Sequence, residues 1–502
     1  VICNCESGRD ERLFFARAFC GEPRALLRKP QALAENIKKA EVESMKNWRM
    51  HCVGWSKKLL LAAGILAAAG GASALGKPEK ADLKFGFIKL TDMVPLAVAY
   101  EKGYFEDEGL FVTLEVQANW KVLFDRVLSG ELDGAHMLAP MPIGAATGVL
   151  GKAEIITPFT LSYNGAAITV SNSVWQEMKK TVPAENGKPK HPISAAALKP
   201  VLESYKAAGR PLNLGMTFPV GTHNYLERYW LAAGGINPGF YAPAKGDNSG
   251  NLNADAMLSV VPPPQMVPTM EAGTTAGYCV GEPWNQQAVF KGLGVPVVTS
   301  ENLWPDGADK VFGVTKAFAD KNPNTTIRTV KALIRASAWL DANNNANRPE
   351  AVKMIARPAY VGADEKVIAN SMTGTFEFER GDKRPIPDFN KFFRGNYGIP
   401  YYSDAIWWTT QMRRWGHIAE QKPDSWYMDI AKKAFRPDIY AAAARELIAE
   451  GKMQASDFPD FSKATYIKPP QKSPLDGIEY DGTKPNAYLE KFAIGLKGDQ
   501  KI

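Results

Sequence analysis

Residues 212–235 read LNLGMTFPVGTHNYLERYWLAAGG, and their hydrophobic period changes halfway along. Leu212 to Phe218 is a short apolar run between Pro211 and Pro219, the pattern of a buried strand. Gly221 and Thr222 form a turn, with Thr222 as the expected helix N-cap. From His223 onward Tyr225 and Tyr229 make one row, and Leu226, Trp230 and Ala233 make a second at helical spacing. Gly234 and Gly235 end the helix where left-handed backbone is cheap. A strand that feeds a glycine turn and then a helix points free N–H groups and the positive helix end at one place. Such a place attracts anions, and His223 stands in it. On this segment alone, a turn histidine bonded to nearby backbone fits equally well.

The flanking chain repeats the theme. LKFGFIKL, LFVTLEV, LDGAHML, EIITPFT and AAITV read as strands, the first three each followed by a helical stretch. A second series starts at Leu212 and runs through LSVV, GYCV and VPVVT. This alternation predicts α/β architecture with largely parallel sheets. Pro323 opens a long helix for which Asn322 is the expected cap, and the chain is helix-rich from there. The stripe Trp408, Met412, Trp415 is at helical spacing and reads as core.

The N-terminus has a different character. Lys57 and Lys58 precede the uncharged run LLLAAGILAAAGGASALG, and Ala72-Ser73-Ala74 supplies small residues for cleavage. That is the order of a secretory signal, here 45–74, with a retained membrane anchor as the alternative. Residues 1–44 read as an overlong start, with translation expected from Met45 or Met50. Most of the formal +7 charge falls before residue 75, so nothing in the remainder calls for nucleic acid. Four of the five cysteines fall there too, which leaves Cys279, expected as a small buried hydrophobe, and no internal disulfide.

No Walker loop, G-x-S-x-G or H-E-x-x-H is present, and no enzymatic constellation is assigned. What stands out is an ordered set of stretches. They are KFGFIKLTDMVPLAVAYEKGYF, NWKV, LDGAHMLAPMPIG, TFPVGTHNYLERYWLAAGGINP, VVPPPQMV and YCVGEPWN. In this order the chain resembles the nitrate- and bicarbonate-binding proteins of ABC importers, a group related to the sulfonate and taurine binders. The resemblance runs from about Leu83 to Leu340. It implies a type II periplasmic binding fold, two α/β lobes joined by crossover strands with the ligand cleft between them. The expected division is 82–167 with 316–455 as lobe 1, 168–315 as lobe 2, and 456–502 as a Pro/Lys/Gly-rich surface tail.

The resemblance also implies the site. The Trp120 indole and His223 are expected as donors from opposite lobes, with Gly281 bringing backbone close to the ligand. Lys310, in PDGADKVFG, matches the position where nitrate binders carry lysine and bicarbonate binders an acidic residue serving calcium. Without the resemblance it reads as a surface lysine. One departure is Ala166, where nitrate binders carry glutamine in their N-G-Q stretch. His136 reads as a hydrogen-bonded structural histidine. The implied function is an exported, monomeric, non-enzymatic receptor that passes nitrate or nitrite to an inner-membrane ABC permease, without cofactor or metal. Bicarbonate or cyanate binding, or a nitrate-sensing regulatory role, are the alternatives.

Overall fold

The computed structural model describes residues 75–497, so the expected leader 1–44 and signal peptide 45–74 lie outside the described residues. Two sheets organise the rest. The first has six strands in the order Asn390–Lys391, Ile155–Asn164, Ala308–Thr315, Gly134–Leu138, Asp82–Phe87, Phe111–Val116. The second has five, in the order Ala256–Val260, Leu212–Met216, Gly277–Gly281, Ala166–Ser171, Gly294–Thr299. Each combines parallel neighbours from strand–helix–strand units with antiparallel strands at the junction. Central strands such as Gly134–Leu138 and Ile155–Asn164 are buried at every residue, as expected where helices cover both faces.

The chain passes between the sheets twice. Ile155–Asn164 in the first sheet leads to Ala166–Ser171 in the second through Gly165 alone. Gly165 has φ +92, open to glycine and strained for other residues, and Asn164 before it is also left-handed at φ 59. The return runs from Gly294–Thr299 to Ala308–Thr315. That return strand belongs to the first sheet, between Ile155–Asn164 and Gly134–Leu138. The expected boundary at residue 315 is therefore too late, and Lys310 stands on the first sheet rather than in lobe 2. Pairing with strands more than 140 residues earlier decides this, and local pattern does not carry that information.

The helices Pro323–Asn345 and Pro437–Ala449 pack against each other and on Ile155–Asn164. Pro323 takes the first helical position, but Asn322 makes no side-chain cap. The Glu79 carboxylate accepts from the N–H groups of Asn324 and Thr325 instead. The segment after Gln454 also differs from expectation. Tyr480, Tyr488 and Phe492 are buried and pack around Trp304, Trp407 and Tyr229, so much of the supposed surface tail is core. Among the described residues no helix is long and apolar enough to cross a membrane.

Candidate ligand site

The opening segment folds as a strand, Leu212–Met216, and a helix, Thr222–Ala233, with Gly221 rather than Thr222 at the cap position. Thr222 is the first helical residue, and its hydroxyl donates to Asp309 Oδ1 at 2.6 Å, across from one sheet to the other. A β-carbon on Gly221 would lie 2.8 Å from Leu138 Cδ1 and from the Phe218 carbonyl oxygen, so the turn closes this tightly only with glycine. His223 follows, fully buried, with Nδ1 2.9 Å from Thr217 Oγ1. Its Nε2 has no partner among the described residues.

Gly281 ends the strand Gly277–Gly281 beside that free nitrogen. A β-carbon there would sit 3.2 Å from Asp92 Oδ2 and 3.6 Å from His223 Nε2. Ala166 is its register partner on the neighbouring strand and adds only a methyl group on the same side. Trp120 opens the helix Trp120–Leu128, which Asn119 caps by accepting from the Val122 N–H. The indole is fully buried, and its Nε1 has no partner among the described residues. Its ring meets the His136 ring edge-on at 5.3 Å.

Below these donors lies a fully buried charge cluster. The Lys310 ammonium is 2.6 Å from Asp309 Oδ2 and 2.9 Å from Asp92 Oδ2. Neighbouring strand residues ordinarily point to opposite faces. Here the strand Ala308–Thr315 is irregular on both sides of Lys310, and such bulges re-aim side chains, letting Asp309 and Lys310 meet. Asp92 Oδ1 accepts from His136 Nε2 at 2.8 Å, while His136 Nδ1 accepts from the Ile88 N–H at 3.4 Å. His136 thus holds Asp92 in place. Burial would raise the Asp92 carboxyl, but Lys310 and His136 outweigh it and hold it at about 2. Burial, with Lys310 adding to it, pushes His223 well below the usual histidine range, so the imidazole is neutral at pH 7.

Lys310 is not the surface lysine that the sequence alone suggests, being fully buried with two carboxylates around it. Two of its three N–H donors are engaged, which leaves one. Asp92 and Asp309 were missed in the sequence, where they look like ordinary acidic residues in LTDM and GADK.

The two halves touch directly. The Thr91 N–H donates to the Glu282 carbonyl at 2.7 Å, and Trp284 Nε1 donates to the Lys89 carbonyl at 3.0 Å. Glu282 is fully buried, and burial pushes its carboxyl up to about 8 from an ordinary 4.5. The unfolded chain loses that proton near 4.5 while the folded chain keeps it to about 8, so this contribution to stability is lost as pH rises between them. Glu282→Gln stays neutral throughout. Urea midpoints at pH 5 and pH 8 are expected to favour the variant over the native protein more at pH 8. The expected gain is at least about 1.4 kcal/mol, the equivalent of one pKa unit.

Two sheets that exchange strands around buried, unpaired donors define a periplasmic-type solute-binding protein. The chain belongs to the NMT1-like family, whose profile matches residues 76–356. It is 33% identical over 442 residues to the nitrate/nitrite binding protein NrtA of Synechococcus elongatus, covering 86% of this chain and 89% of that protein. The nitrate import ATP-binding protein NrtC of Synechocystis is 32% identical over 83% of this chain, which spans only 56% of that protein. The crystal structure of the periplasmic nitrate-binding protein NrtA from Synechocystis superposes with a TM-score of 0.71 at 29% identity, over 84% of this chain and all of that one.

Proposed function

We propose that this protein captures a small planar anion, nitrate or nitrite, in the periplasm and delivers it to an ABC permease in the inner membrane. One observation carries the reading. Trp120 Nε1 and His223 Nε2 come from helices packed on different sheets, are fully buried, and have no partner among the described residues. Buried donors ordinarily find partners, and an oxyanion supplies acceptors without needing a reactive group. The remaining Lys310 N–H is the third donor, and Gly281 puts backbone without a side chain beside His223, where a β-carbon would crowd Asp92 Oδ2 at 3.2 Å. The similarity to nitrate/nitrite binding proteins over most of the chain supports the same ligand. The protein acts as a monomer and a receptor, not an enzyme.

Bicarbonate is the competing ligand. The Asp92 and Asp309 carboxylates are spent on Lys310, which leaves a calcium ion without its oxygen ligands here. Calorimetric titration with potassium nitrate, potassium nitrite, and bicarbonate with and without calcium distinguishes the two. Saturable binding of nitrate or nitrite, indifferent to calcium, is expected, with a change in tryptophan emission. Heat from bicarbonate with calcium alone would overturn the assignment.

A further inference from the structure

We propose that Thr217 is a positioning residue that sets the tautomer of His223, so that Nε2 carries the proton facing the ligand. This goes beyond the anion-binding reading and rests on it. A neutral imidazole has one N–H and one bare nitrogen. With the bare nitrogen toward the ligand, its lone pair would meet the lone pairs of an oxyanion. The ring must therefore be held in one of two forms, and the group bonded to the other nitrogen decides which.

Thr217 Oγ1 is that group, 2.9 Å from Nδ1 and itself buried. The hydroxyl has no other partner among the described residues, so its own proton has only Nδ1 to go to. Thr222 is the other hydroxyl nearby, 3.4 Å from Nδ1, but its proton is committed to Asp309 Oδ1 at 2.6 Å. With Thr217 donating, Nδ1 accepts and the mobile hydrogen stays on Nε2. His136 shows the same logic on the other sheet, where a backbone N–H on Nδ1 leaves Nε2 to donate to Asp92. The ring charge is not required, in keeping with the lowered pKa of His223.

The direct test is a long-range proton–nitrogen correlation spectrum of histidine-labelled protein at pH 7.5, with the His223 signal assigned by its loss in His223→Ala. The native protein is expected to show protonated Nε2 and bare Nδ1, with and without potassium nitrate. Thr217→Val keeps the shape and removes the hydroxyl. It leaves Thr222 Oγ1, 3.4 Å from Nδ1, as the acceptor for an Nδ1 proton, and a ring about nine parts in ten in that form weakens nitrate binding about tenfold. Thr217→Ser is expected to restore affinity to within about twofold, which a packing role for the threonine would not do. A protonated Nδ1 in the native protein overturns the proposal, and needs no variant to fold. So does native affinity in Thr217→Val when His223→Ala has lost it. If His223→Ala itself binds nitrate normally, the anion-site reading falls, and this inference falls with it.

Discussion

Lys310→Met is expected to lower the free energy of unfolding by about 3–5 kcal/mol, the usual cost of removing one partner from a buried charge pair. The reason lies less in what lysine contributes than in what it leaves behind. Asp92 and Asp309 are both buried, and the ammonium lies between them at 2.9 and 2.6 Å. Methionine fills similar space but leaves two carboxylates facing each other without a cation. The deficit has a pH signature. Lys310 and His136 hold Asp92 at about 2 against burial, so the Lys310–Asp92 pair persists well into acid, while burial keeps the Asp309 carboxyl raised and makes it the first of the two to take a proton. Without the ammonium the Asp92 carboxyl rises, and lowering the pH neutralises it. The gap between variant and native protein is therefore expected to narrow as pH falls from 7 toward 4. Urea unfolding at both pH values, with an unchanged slope, checks this. A variant as stable as the native protein at pH 7 would mean that the cluster is not held by its charges.

The second large effect falls on binding. His223→Ala is expected to weaken nitrate affinity ten- to a hundredfold, about 1–3 kcal/mol, through loss of a buried donor to an ionised ligand. The protein is expected to remain folded, because the helix Thr222–Ala233 is fixed by other residues. Arg228 on that helix donates to the carbonyls of Pro238, Gly239 and Gly250, and Trp230 to that of Ile193. Calorimetry on variant and native protein, alongside circular dichroism, separates the two effects. Undiminished affinity in a folded variant would remove His223 from the site.

Several of these features were legible in the chain, and the physics says which. The strand Leu212–Met216 and the helix Thr222–Ala233 announce themselves because each buries a face with its own period. Crossover at Gly165 and the placement of Ala308–Thr315 in the first sheet are matters of long-range pairing, invisible to local periodicity. Asp92 and Asp309 were passed over because a carboxylate shows its purpose only beside its partner, and Lys310 is more than 200 residues from Asp92. The resemblance placed Lys310 at the cleft but not the two acids that surround it. In the C-terminal segment, proline, glycine and lysine outweighed Tyr480, Tyr488 and Phe492, which pack on Trp304, Trp407 and Tyr229; only Tyr488 and Phe492 share a helical spacing, too short a pattern to stand out.

That same segment bears on how fast the ligand leaves. Asp476 accepts from the Tyr229 hydroxyl, on the helix that begins beside His223, while Tyr480 donates to the Ser403 carbonyl and Ser473 to that of Leu303. The segment therefore laces the His223 helix to the helix Tyr402–Arg414. Any movement that swings His223 away from the ligand has to stretch or carry this lacing. Under the proposed function, release of the anion is then tied to a segment whose bonds run to Tyr229, Ser403 and Leu303 rather than to His223, and two proteins with equal affinity could differ in turnover through this seam alone.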